Sequence, residues 1–80
     1  MKIMELKEEV REIIADILGI SAENLPCEAE MEDVEGWDSM RNVMILSALE
    51  DKYDIMFPED DVFDLVSVNA FAEEIAKLKA

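Results

Sequence analysis

Apolar residues recur at steps of three and four over the first eighteen positions: Ile3, Leu6, Val10, Ile13, Ile14, Ile17 and Leu18. That spacing predicts one face of an amphipathic helix. Glu5, Glu8, Glu9, Arg11, Glu12 and Asp16 fill the opposite face, and Gly19 suits the C-terminal stop. Periodicity is then lost from 20 to 37, where Ser21 is placed to cap a single helical turn. Acids interleaved with Leu25, Met31 and Val34 predict a long loop pinned to the core at intervals. Loops of that length in a small domain are usually functional or disordered. A second helix is predicted from about Ser39 to Lys52 or Tyr53, with Val43, Leu46, Leu49 and Tyr53 as its buried stripe and Ile45 on the flank. Pro58 suits the first position of a short helix over Pro58–Phe63, with acids in the first turn where the macrodipole favours them. Ser67 is placed to cap a last helix that buries Val68, Phe71, Ala72, Ile75 and Leu78 and carries Lys77 and Lys79 in its last turn. Strand signals are absent, since 54–57 is short and has no partner. The pattern predicts an all-α fold: a small four-helix bundle of three longer helices and one short one, with a long loop between the first and second. With no repeat or interior linker, residues 1–80 read as one domain.

Composition narrows the chemistry. The 80 residues are 51% hydrophobic, enough to fold without a metal or disulfides. A single cysteine, Cys27, excludes an internal disulfide, and the absence of histidine argues against a structural zinc site. Glu28 and Glu30 beside Cys27 disfavour its thiolate, so it is not read as reactive. Acids around Asp33 and Glu35 do not fit a calcium loop, because Gly36 is misplaced for that spacing. With no histidine, no nucleophile–base pair and no Gly-rich phosphate loop, the chain reads as a non-enzyme. The charged stretch Met1–Glu9 is not a signal peptide, and no apolar run approaches membrane-spanning length. The expected compartment is the cytoplasm.

The formal net charge is −14. A field of that sign repels nucleic acid and anionic membranes and steers the chain toward partners with basic patches. It also strains the folded state by self-repulsion. Added salt or Mg²⁺ is therefore expected to raise the melting temperature. A thermal melt that stays still or falls with salt would contradict this.

The most specific local feature is Gly36-Trp37-Asp38-Ser39-Met40, where the loop turns into the second helix. The Asp38 carboxylate can accept from free N–H groups of the first turn. Ser39 then starts the helix with its hydroxyl toward solvent. Unpaired N–H groups and the macrodipole make such an end an anion site, so a serine there is well placed to carry a phosphate ester. Simple capping by Asp38 is the plainer reading, and the two are compatible. Trp37 is expected to pack the loop onto the bundle.

A spaced series along the chain resembles the acyl carrier protein family. Gly36-x-Asp38-Ser39-Met40 is similar to the family's Asp-Ser-Leu attachment motif, with Met for Leu, and Val43 follows the serine by four residues. Leu49-Glu50-Asp51-Lys52-Tyr53-Asp54-Ile55 resembles its Leu-Glu-acid-x-aromatic-x-aliphatic signature. Phe57-Pro58-Glu59-Asp60-Asp61 resembles its acidic third helix, and Ser67-Val68-x-Ala70 the start of its last. The resemblance implies 4′-phosphopantetheine, transferred from coenzyme A onto Ser39 by a phosphopantetheinyl transferase, with Asp38 assisting that transfer. It implies a stand-alone carrier that holds acyl groups as thioesters and docks transiently as a monomer. Its partners would be acyl-transferring or condensing enzymes with basic docking patches, in fatty-acid, polyketide or specialised biosynthesis. An aminoacyl or peptidyl carrier serving an adenylating enzyme is the alternative within the class, and an acidic non-carrier interaction module is the alternative outside it.

The chain departs from fatty-acid carriers on the exposed face of the second helix. Arg41 and Met44 occupy positions commonly acidic there, while acids remain at Glu50, Asp51, Glu59, Asp60 and Asp61. Met40 and Met44 lie four apart and share one face, where an exposed pair would form a soft contact patch. Met44 tucked against the loop is the other reading. Ser47, where fatty-acid carriers are often apolar, is either a polar pocket mouth for a short or polar cargo or a solvated surface serine. These departures predict a dedicated carrier of a specialised pathway, with Met40, Arg41, Met44 and the acids as partner contacts.

Overall fold

The computed structural model describes residues 2–79. Three α-helices form: α1 over Ile3–Leu18, α2 over Ser39–Tyr53 and α3 over Val68–Lys79. Short 3₁₀ turns occupy Ala22–Asn24, Met31–Asp33 and Val62–Asp64. No strand forms among the described residues, and the all-α class is as expected.

Local chemistry explains the ends. Gly19 closes α1 at φ 73, and the N–H groups of Gly19 and Ile20 return to Asp16 and Ala15. Only glycine adopts that backbone without steric cost. Ser21 caps its turn by accepting from the Glu23 N–H, and Ser67 Oγ accepts from the Ala70 N–H at the start of α3. The α2 helix ends at Asp54, itself left-handed at φ 54, a conformation that aspartate tolerates better than most residues.

The expected short helix at Pro58–Phe63 is not an α-helix. Bonds of the i to i+3 kind run from Asp61 to Pro58, Val62 to Glu59, Asp64 to Asp61 and Leu65 to Val62. Four acids in this stretch repel one another, and a segment so short cannot meet the cost of helix nucleation unless packing supplies it. Packing supplies little, because Leu65 is buried but Phe63 points to solvent with 88% exposure.

The core is built around α1, which packs against both α2 and α3. The latter two barely touch each other. Leu6, Val10 and Ile14 of α1 meet Ile45 and Leu49 of α2 and Val68, Phe71 and Ile75 of α3, all fully buried. Phe71 lies edge-on to Phe57, with ring centres 5.7 Å apart. Tyr53 closes the far end by donating to Glu9 Oε1 at 2.9 Å. Burial, then the hydrogen bond and charge of Glu9, hold its phenol protonated far above the usual tyrosine range. The long loop is pinned as expected. Met31 N–H donates to the Val66 carbonyl, Asn69 N–H to that of Cys27, and Leu25 is buried.

The α2 stripe differs from expectation. Ile45 is fully buried, while Val43 is 66% exposed. The inward face runs Asn42, Ile45, Leu46, Leu49, Tyr53, so a polar residue takes the place assigned to Val43.

One acidic pair strains the fold. Glu74 is buried on α3 and faces Asp61, beside a hollow of about 270 Å³ also lined by Asp64, Glu73 and Lys77. The hydrogen bond with Asp61, then burial and the Asp61 charge, raise the Glu74 carboxyl above the usual range, against a small opposing pull from Lys77 at 3.9 Å. A raised folded-state value means that the contact favours the fold only while Glu74 holds its proton. That contribution is present at low pH and lost as pH rises through the folded-state value. Glu74→Gln is therefore expected to stabilise the protein at pH 7 by about 0.5–1 kcal/mol, the scale of one net hydrogen bond. Thermal melts at pH 7 and in the carboxylate range should show the gain shrinking on acidification. A gain independent of pH would contradict the assignment.

Candidate functional site

Ser39 is the first residue of α2 and its side chain is exposed. Gly36, at φ 90, turns the chain into this end. Asp38 is the N-cap: its Oδ1 accepts from the Arg41 N–H at 2.9 Å and its carbonyl from the Asn42 N–H at 2.9 Å. The N–H groups of Ser39 and Met40 have no partner within the helix. A hydroxyl therefore stands at a positive helix end whose geometry is already set by its neighbour.

Trp37 is buried, and its indole N–H donates to Asn42 Oδ1 at 2.9 Å. The Asn42 amide nitrogen donates in turn to the Leu65 carbonyl at 3.2 Å. Packing of Trp37 is thus as expected, while the role of Asn42 was missed. Its signal was a lone polar residue on an otherwise apolar helix face.

Beside Ser39 lies an open cleft of about 180 Å³. Val43 and Asn42 of α2 form one wall; Met31, Val62, Phe63 and Val66 form the rest. The cleft thus lies between α2 and the segment around the 3₁₀ turn at Val62–Asp64, with the long loop at Met31 as its third side. Its lining is mostly apolar, and Val43 and Phe63 of that lining are largely exposed; Met40, next to Ser39 in the chain, is largely exposed and Met44 is half exposed. Met44 is therefore not tucked away under the loop.

The other anticipated contact residues divide into two groups. Arg41 is exposed, but its guanidinium donates to the Ile17 carbonyl at 2.8 Å. The last turn of α1 has no basic residue of its own, and Arg41 supplies one across the helix pair. Glu50 is half-buried and accepts from the Phe57 N–H at 2.9 Å. Asp61 is engaged with Glu74. Asp51, Glu59 and Asp60 are exposed, as is Ser47.

Residues 8–75 match the family model described as a phosphopantetheine attachment site. The chain belongs to the acyl carrier protein family. An acyl carrier protein of Clostridium acetobutylicum is 39% identical over 61 residues, covering 76% of this chain and 79% of that protein. The carrier bears covalent 4′-phosphopantetheine and works with a phosphopantetheinyl transferase and acyl-handling enzymes. The residues at the start of α2 fit that group: an exposed hydroxyl for the ester, unpaired N–H groups for its charge and an apolar cleft alongside. No helix among the described residues is long and apolar enough to cross a membrane.

Proposed function

We propose that Ser39 is the attachment residue and that the protein presents acyl groups to enzymes of a specialised biosynthetic pathway in the cytoplasm. The observation that carries the reading is the exposed Ser39 hydroxyl at a helix end capped by its neighbour, on the edge of an apolar cleft. When bound, the arm supplies a thiol that holds cargo as a thioester. The protein's own residues bind and present, and none acts as a catalyst. Asp38 fixes the first turn, the free N–H groups offset phosphodiester charge within an anionic protein, and the cleft shelters the arm or a short cargo.

The rim supports partner enzymes unlike those that read a wholly acidic helix. From Ser39 to Leu49 the α2 helix carries no acid, and Met40, Val43 and Met44 stand exposed. Methionines adapt to varied apolar surfaces. Asp51, Glu59 and Asp60 supply a more distant acidic margin for basic groups on the partner.

The test is intact-protein mass after incubation with coenzyme A, Mg²⁺ and a broad-specificity phosphopantetheinyl transferase. A gain of one phosphopantetheine, mapped to the peptide containing Ser39, is the expected result. A gain mapped to another residue would refute the assignment.

A further inference from the structure

We infer that Asn42 is the positioning residue of the Ser39 cleft, a strut that sets how far its two walls stand apart. The inference rests on the reading of Ser39 as attachment site for its functional consequence, but not for its structural content.

The amide of Asn42 has one possible orientation. An indole N–H only donates and a backbone carbonyl only accepts, so Oδ1 must face Trp37 and Nδ2 must face Leu65. One half-buried side chain therefore joins three segments: the loop that delivers Ser39, α2 itself, and the chain leaving the 3₁₀ turn at Val62–Asp64. Those segments carry the cleft. Val43 stands on the α2 side, with Val62, Phe63 and Val66 opposite.

The opposite wall is anchored in the shared core by the buried Leu65 side chain, but beyond that and half-buried Val62 little holds it against α2. Direct packing between α2 and α3 is slight, the turn is rich in acids, and Phe63 is exposed. The Met31–Val66 hydrogen bond ties that wall to the long loop and not to α2. Asn42 is the side chain whose hydrogen bond reaches from α2 to this segment. Releasing it lets the wall carrying Val62 and Phe63 move away from Val43 and admits water to whatever the cleft shelters.

Two substitutions separate the two bonds. Asn42→Asp keeps an acceptor for Trp37 but sets a carboxylate against the Leu65 carbonyl. Its charge lies near the positive end of α2, which helps the fold survive. Trp37→Phe removes the other bond and leaves the Leu65 contact intact.

The first readout needs no modification. Amide exchange over 62–66 in the apo-protein is expected to quicken about fivefold in Asn42→Asp, the scale of one lost net hydrogen bond, and less in Trp37→Phe. Trp37 is the only tryptophan, so its indole N–H resonance reports whether the remaining bond persists. Unchanged exchange over 62–66, with the indole resonance retained, would overturn the strut whichever residue bears the arm. The second readout is spontaneous hydrolysis of hexanoyl and acetyl thioesters on the loaded protein. Asn42→Asp is expected to speed hexanoyl loss several-fold and leave acetyl loss unchanged. Equal hexanoyl rates in the two proteins would overturn the sheltering role. A failure to load at Ser39 would instead strike at the attachment reading, and apo exchange would still decide the strut.

Discussion

Ser39→Ala should abolish the mass gain on incubation with coenzyme A and a phosphopantetheinyl transferase while leaving the melting temperature almost unchanged. Both halves follow from the geometry. The Ser39 hydroxyl is exposed, and the cap of α2 is the Asp38 carboxylate, which accepts from the Arg41 N–H. Removing the hydroxyl deletes no described hydrogen bond. Alanine is also the best helix former, so the first turn loses nothing in propensity. Exposed substitutions of this kind change stability by no more than about 0.5 kcal/mol. The mass gain has no such margin, because an ester cannot form without the oxygen. Asp38→Ala gives the opposite pattern in stability. It should cost about 1 kcal/mol through the lost cap while the acceptor hydroxyl remains. A Ser39→Ala protein that melts normally and still gains one phosphopantetheine would remove Ser39 from the site.

The placement of Ser39 was legible because capping is local. Asp38 and the N–H groups that it satisfies lie within four positions, so sequence order fixes their geometry. The α1 face was legible for the same reason: Leu6, Val10, Ile14 and Leu18 are buried as the period places them and Ile13 and Ile17 partly so, while Ile3 in the first turn is exposed. The α2 stripe was not. Asn42 lies on its inward face and looks out of place there until its partners are known. Both partner groups, on Trp37 and Leu65, lie outside α2, one of them 23 positions along the chain. Without them the apolar period slides toward Val43, which belongs to the cleft. Arg41 is exposed, as a surface contact requires, and its bond to the Ile17 carbonyl, 24 positions away, has no local signal. The stretch after Pro58 carried good start signals for a helix, but tertiary packing was to decide it, and Phe63 turns outward. Each misreading thus falls where a long-range contact outweighs a local preference. All three, at Asn42, Val43 and Phe63, border the cleft.

Phe71→Ala should bring the protein close to unfolding, whereas Phe63→Ala should leave it intact. The two residues are of one type and eight positions apart, and only their surroundings differ. Phe71 is the largest of the fully buried side chains and stacks edge-on to Phe57 where α3 meets the chain leaving α2. Truncating a buried phenylalanine costs about 3–5 kcal/mol, through lost transfer energy and the cavity left behind. A domain of this length has roughly 4–12 kcal/mol in total, at about 0.05–0.15 kcal/mol per residue. The loss is then about a quarter of the stability at best and all of it at worst, and the melting temperature should fall by more than about 12 °C. Phe63 buries almost nothing, so its removal should stay within about 0.5 kcal/mol. Its loss should be felt at the cleft, where it forms part of the wall facing Val43. Thermal melts of the two variants beside the wild type decide the matter. Similar shifts for both would mean that Phe63 turns inward in solution, which would close the cleft beside Ser39.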